Sequence, residues 1–316
     1  MPFDPSSDEA SRLAALIAEL GTLSTEQLDA DRGDLDLLPT RALVEAMNAE
    51  DRRVPAAVAA QAVAIAEAVD GITERFRRGG RLVYLGAGTA GRVGVLDASE
   101  CPPTFGTDPR MVVGLIAGGE GAIRSAVEDA EDDADAAARA LDDLGIGPDD
   151  TVVGISASGR TPYVIGGLTA AKRAGALTVA LANNAGSAIG AAADIAIEVV
   201  VGPEFVTGST RLKAGTAQKL VVNMLSTLSM IRLGKTYRGV MVDLRATNEK
   251  LRARSVRTLV QLTGASLADA VRALAEAGGS VKLALLILFT GASAEVAATA
   301  LAASDGVLRD AIVALR

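Results

Sequence analysis

The chain of 316 residues carries a formal net charge of −8, and it contains no histidine, one cysteine and only 3% aromatic residues. An acidic chain offers no basic field to a polyanion, and so few aromatics build no base-stacking platform, which excludes nucleic acid as a partner. Without histidine the commonest metal ligand is missing. Proton transfers fall to carboxylates, lysine, tyrosine or the thiol, and no metal is expected. Hydrophobic residues make up 49%, so the core must be built from Ala, Val, Leu and Ile.

In chain order, residues 1–33 mix charges with Pro, Ser and Asp and read as an extended or partner-contacting arm, in which residues 10–20 have the spacing of a short amphipathic helix. Thr40 is placed to cap a helix through ALVEAMNAED. Residues 54–76 carry apolar side chains at helical spacing up to a Gly79-Gly80 stop. Residues 82–85, apolar and bounded by glycines, suit a central parallel strand covered on both faces. That strand runs into Gly86-Ala87-Gly88-Thr89-Ala90-Gly91, whose glycines allow a tight turn and whose following helix opens with unpaired amides able to hold an anion. The loop also spells the GxGxxG dinucleotide pattern, so a phosphate cradle and a nicotinamide-nucleotide site both fit it. After the helix, Glu100-Cys101-Pro102-Pro103 reads as a carboxylate-bearing turn. A nucleophilic role for Cys101 is disfavoured, because no histidine is present to activate it.

Residues 111–116 form the next apolar strand, closed by Gly118-Gly119. Residues 121–144 read as one long helix or two broken near 128–133, with an acidic run, AVEDAEDDADAAARALDD, that suits a solvated helix face. The strand at 150–155 leads into Ser156-Ala157-Ser158-Gly159-Arg160-Thr161, followed by Pro162 for a first helical turn. Three hydroxyls converge there, either as an anion loop or as helix caps. A dinucleotide fold needs no such loop two strands after its glycine fingerprint. Strands at 177–181, ending in Asn183-Asn184, and at 194–201 complete five. Their alternation with helices predicts an α/β fold, a parallel sheet in a three-layer sandwich. A loop at 202–215, rich in Glu204, Thr207, Ser209, Thr210, Arg211 and Lys213, precedes an apolar helix at 216–233. Segments 256–262, 266–277, 281–289 and 294–301 read as short helices of a small C-terminal domain. The expected divisions are an arm and helix at 1–53, a catalytic domain at 54–245 and the helical domain at 246–316.

Four stretches, GAGTAGR, DASECPPT, SASGRTPYV and GPEFVTGSTRLKAGTAQK, resemble the N-acetylmuramic acid 6-phosphate etherases, of the sugar isomerase (SIS) domain superfamily and its glucokinase-regulatory-protein-like family. The likeness runs in order from about residue 38 to 250. Family members commonly have Ser where Ala90 stands, so one phosphate hydroxyl is missing while Thr89 remains. The resemblance implies an SIS fold and a lyase that cleaves the D-lactyl ether of a phosphosugar by elimination and water addition, without a cofactor. It matches Glu100 to the family's proton donor and Glu131 to its second catalytic glutamate. Ser156, Ser158 and Thr161, with the backbone of Gly159, are expected to hold the phosphate. Gly88 and Thr89 line the opposite wall, and Glu204, Ser209 and Thr210 border the sugar. If one helix began at Gly121, Glu131 would lie about 15 Å along it. Either the helix breaks near Glu128, or a second subunit completes a site at a homodimer interface.

Two rivals stand beside this reading: a noncatalytic SIS regulator that senses a phosphosugar, and a dehydrogenase. The longest apolar run, 283–289, is far short of a membrane span, and no stretch reads as a signal peptide. With a lone cysteine, a cytoplasmic protein of amino sugar catabolism and peptidoglycan recycling is expected.

Overall fold

A computed structural model describes residues 7–29, 33–243 and 249–316. In chain order its elements are α1 (Ser7–Leu20), α2 (Thr40–Asp51), α3 (Val54–Ala59), α4 (Ala62–Arg77), β1 (Leu82–Gly86), α5 (Gly88–Phe105), β2 (Val112–Ile116), α6 (Gly121–Arg124), α7 (Ala134–Leu144), β3 (Thr151–Ser156), α8 (Pro162–Arg173), β4 (Leu177–Ala182), α9 (Ala188–Ala192), β5 (Ile195–Glu198) and α10 (Lys213–Arg232). A two-stranded antiparallel hairpin follows, β6 (Thr236–Tyr237) with β7 (Val240–Met241). The remaining helices are α11 (Glu249–Thr263), α12 (Leu267–Glu276), α13 (Val281–Thr290), α14 (Ala294–Ala303) and α15 (Leu308–Ala314).

The expected five-stranded parallel sheet is present, in the order β2-β1-β3-β4-β5. Alternate residues of its central strands enter different layers, as strands buried on both faces require. Val83, Leu85 and Val152 pack with Leu141 of α7 and Val164 and Leu168 of α8. Tyr84 points the other way, where its hydroxyl donates to Asp97 Oδ2 of α5 at 2.8 Å and reaches the carbonyl of Val222 in α10 at 3.2 Å. Asn223 binds the second oxygen of Asp97 at 2.6 Å. Gly94 permits this packing, since a Cβ there would lie 2.7 Å from Tyr84 Cβ.

Two compact units emerge from the packing, one made of residues up to Asp97 with Val112–Leu225, the other of Ala98–Met111 with Ser226–Arg316. The expected division at 245/246 lies outside the described residues. The second unit begins earlier because Tyr237 and Val242, beside the hairpin, share an apolar cluster with Leu259, Leu285 and Ile312 of the C-terminal helices. In that unit Asp243 takes Lys235 Nζ at 2.8 Å and Lys282 Nζ at 2.9 Å.

Several boundaries differ from expectation. Pro39, not Thr40, occupies the capping position of α2, and Thr40 is the first helical residue. The helix expected over 54–76 is two helices, and the path turns by 60° at Ala60-Gln61. The turn lets Val58 bury before the break while Ile65, Ala68, Val69 and Ile72 bury after it. The turn expected at Glu100 is helix instead, since α5 runs through Pro102 and Pro103 to Phe105. Proline's fixed φ is helical, and Cys101 and Phe105, buried four residues apart, hold the last turn against its missing amides. Within the arm, α1 extends the expected helix. Residues 1–6 and 30–32 of that arm lie outside the described residues.

Candidate active site

Strands β1 and β3 are neighbours, but β1 continues to β2 on one side and β3 to β4 on the other. The chain thus diverges at their carboxyl ends, where open α/β sheets bind their ligands. Two loops border that crevice. After β1, Gly86 and Gly91 touch backbone to backbone: a Cβ on Gly86 would fall 2.7 Å from Gly91 N, and one on Gly91 would fall 2.7 Å from Gly86 O. These glycines serve strand-to-helix contact. Gly88, at φ 52° and exposed, gives the loop a left-handed turn.

After β3 the hydroxyls meet as expected. Ser156 is their hub: its Oγ lies 2.8 Å from Thr161 Oγ1 and 3.3 Å from Ser158 Oγ, and it accepts the amide of Gly159 at 3.0 Å. The amide of Arg160 donates to Ser158 Oγ at 3.3 Å. Gly159 has φ 75°, and a Cβ on it would strike Ser187 Cβ at 2.4 Å. Thr161 opens α8, yet its side chain makes no cap bond, so its hydroxyl belongs to the cluster. Ser156 is buried, while Ser158 and Thr161 keep partial exposure.

A third loop joins them from 202–212. Glu204, 1% exposed, accepts the amides of Lys213 and Ala214 at 2.9 Å each, and thereby caps α10. Lys213, itself buried, reaches Glu50 of α2 at 2.8 Å. Without that carboxylate an ammonium at a helix N-terminus would oppose the helix dipole. A Cβ on Gly215 would lie 3.2 Å from Thr89 Cγ2 and 3.4 Å from Thr210 O, so Thr89 and the Thr210 backbone approach the same point of α10. Ser209 and Thr210 are half-buried.

Glu131 arrives by the expected helix break. Helix α6 ends at Arg124, Asp129 takes a left-handed φ of 61°, and Ala130–Asp132 make a single 3-10 turn before Asp133 caps α7 by accepting the amide of Ala136 at 2.9 Å. That amide, aided by Arg139, holds the Asp133 carboxyl below its ordinary pKa. The break sets Glu131 on the wall of a cavity of about 210 Å³ shared with Gly88, Arg92, Glu128 and Asp129. Ser158 lines another cavity, of about 490 Å³, with Arg160, Asn184 and Ser187.

A residue group outside the expected set frames the second cavity. Asn184 Oδ1 accepts the amide and hydroxyl of Ser24 at 2.7 and 2.9 Å, and its Nδ2 donates to Thr25 Oγ1 and the carbonyl of Ala157. Thr25 O in turn accepts the amide of Gly208 at 3.3 Å. Glu19 of α1 forms an ion pair with Arg160. The Asn183-Asn184 dipeptide at a strand end was the one sequence signal for this strap.

The chain is 61% identical over 272 residues, 86% of its length and 88% of the relative's, to a protein of Streptomyces avermitilis named N-acetylmuramic acid 6-phosphate etherase. It belongs to the N-acetylmuramic acid 6-phosphate etherase family. Relatives of the same name from Streptomyces coelicolor and Rhizobium rhizogenes are 58% and 54% identical, each over 86% of this chain and covered to 88% and 89%. Residues 64–172 match the glucokinase regulatory protein N-terminal SIS domain, and residues 125–228 the SIS domain. Against the family pattern, Ala90 is only 7% exposed, on the side of the first turn that faces the interior. Glu100 stands on α5, exposed, in the second unit. Among the described residues, no group of three or more His, Cys, Asp or Glu could hold a metal ion, and no single helix is long and apolar enough to cross a membrane.

Proposed function

We propose that the protein cleaves the D-lactyl ether of N-acetylmuramic acid 6-phosphate, giving N-acetylglucosamine 6-phosphate and D-lactate. Identity of 61% to a relative of that name, across 86% of this chain and 88% of the relative, carries the proposal. The chemistry follows from the sugar. Ring opening places an aldehyde beside C2 and makes its proton acidic. A base removes that proton, the electron pair forms the C2–C3 double bond, and lactate leaves from C3 as an acid protonates its oxygen. Water then adds across the double bond, so no electrons are exchanged with a cofactor.

Glu131 takes the part of the base and Glu100 that of the acid, each contributing about a hundred- to ten-thousand-fold. Ser158 and Thr161, oriented by Ser156, hold the phosphate, with Gly88 and Thr89 opposite, while the expected Gly159 amide is instead donated to Ser156 Oγ. Ser209 and Thr210 border the sugar, and Glu204 acts on them indirectly by fixing their loop to α10. A carboxyl group keeps its proton at neutral pH only where burial or a neighbouring charge favours it. The exposure of Glu100 and Glu131 in a single chain supports a homodimer in which a second copy covers the catalytic groups. A cytoplasmic place in peptidoglycan recycling fits this substrate. The noncatalytic regulator is not favoured, because both glutamates are present and the SIS matches form one run from 64 to 228.

Purified protein mixed with N-acetylmuramic acid 6-phosphate should release equal amounts of D-lactate and N-acetylglucosamine 6-phosphate. Tight binding of the substrate with no lactate formed would return the regulator reading.

A further inference from the structure

We infer that Arg92 recognises the carboxylate of the substrate's lactyl group, and so sets the enzyme's preference for a lactyl ether over other sugar ethers. The inference rests on the proposed reaction. Arg92 lies in the second turn of α5 and lines the same cavity as Gly88 and Glu131. Its Nε donates to the carbonyl of Ile123 in α6 at 3.1 Å, which fixes the plane of the guanidinium. Glu128, Asp129 and Glu131 line this cavity too, yet among the described residues Arg92 enters no ion pair and neither Nη atom has a partner. A fixed guanidinium edge left unused amid carboxylates is a receptor for a planar anion, which it grips through two parallel hydrogen bonds.

The substrate supplies two anions. Its phosphate has the hydroxyl and amide loop after β3, whose one charged side chain, Arg160, is paired with Glu19. Its carboxylate is attached to the group that leaves C3, one carbon from the proton that Glu131 removes, so the lactyl group must lie beside Glu131. In a cavity walled by three acidic side chains, that carboxylate would be repelled without a cation. Arg92 provides one. As the C3–O bond breaks, charge also builds on the departing oxygen next to the carboxylate, and a guanidinium there lowers the energy of both.

The test compares ligands with and without the carboxylate. Arg92→Met should lower kcat/KM for N-acetylmuramic acid 6-phosphate about ten- to a hundred-fold, as expected for losing hydrogen bonds to a charged group. Inhibition by N-acetylglucosamine 6-phosphate, which keeps the phosphate and lacks the lactyl group, should be unchanged. That constant also shows that the variant is folded. The neutral lactyl carboxamide analogue should be a poor substrate for the unaltered enzyme and no poorer for the variant, while Arg92→Lys should fall between. Parallel weakening of the carboxylate-free inhibitor would assign Arg92 to the phosphate or to the α6 scaffold and overturn the inference, as would an unchanged kcat/KM. Absence of lactate release by the unaltered protein would instead overturn the proposed reaction, and this inference with it.

Discussion

Ser156 and Ser158 separate the construction of the phosphate loop from its use. Ser156 Oγ accepts the buried Gly159 amide and aligns both Thr161 and Ser158. In Ser156→Ala that amide is left unsatisfied, which costs about 1–3 kcal/mol of stability, and two hydroxyls lose their orienting contact. Ser158→Ala removes a partly exposed hydroxyl whose contacts, with the Arg160 amide and Ser156 Oγ, are both at a long 3.3 Å. Its stability should stay within about 0.5 kcal/mol of the parent. Both variants should bind the phosphosugar about ten- to a hundred-fold more weakly, the worth of hydrogen bonds to a charged group. Urea unfolding and titration calorimetry measure the two quantities separately. If Ser158→Ala bound with unaltered affinity, the hydroxyls would only shape the loop; if Ser156→Ala kept full stability, Ser156 would not be its hub.

Glu100→Gln should still exchange deuterium from heavy water into C2 of the substrate while releasing little lactate, whereas Glu131→Gln should lose both; the reverse pattern would swap the two roles. Lys213→Met should lower stability by about 1.5–3 kcal/mol, the worth of a hydrogen bond to a charged group, since Glu50 keeps Arg53 at 3.2 Å, and Glu50→Gln combined with it should cost less than the two losses added. Additive losses in urea would disprove the pair. For Asp150, burial pushes the pKa up, but Arg81 and the amides of Gly147 and Arg81 outweigh it and hold the carboxyl below its ordinary value. Its contribution is therefore present above the unfolded value of about 3.9 and fades as the pH falls through the folded one. Asp150→Asn should flatten the acid limb of the stability curve, and an identical limb would refute this.

What could be read from the chain beforehand follows from where the physics is local. The five strands were legible because each core strand is apolar end to end and stopped by glycine or a polar cluster. The break that brings in Glu131 was visible only as one of two options, since Asp129 tolerates a left-handed turn but does not compel it. Residues 54–76 hide their bend, for no proline or glycine stands at Ala60-Gln61 and the turn is imposed by what each half packs against. Pro102-Pro103 misled in the opposite direction, because a stop signal near a helix end yields to the burial of Cys101 and Phe105. Glu204 looked like a ligand to the sugar. Its use by α10 spans nine residues, beyond the reach of any capping pattern read along the sequence. Arg92 was hidden within a glycine motif whose glycines drew the attention.

The strap at Ser24 has a consequence for how the protein is made. Ser24 meets Asn184 across a separation of 160 residues. A ribosome adding 5–20 residues per second needs roughly ten to thirty seconds to cover that distance. Throughout that time α1 lacks its docking place, and the phosphate loop at 156–161, once synthesised, still waits for Asn184 to tie it to Ser24. The newborn chain thus passes through a stage in which β1, β2 and β3 have been made while the brace on the phosphate loop has not, and the amphipathic α1 segment waits undocked.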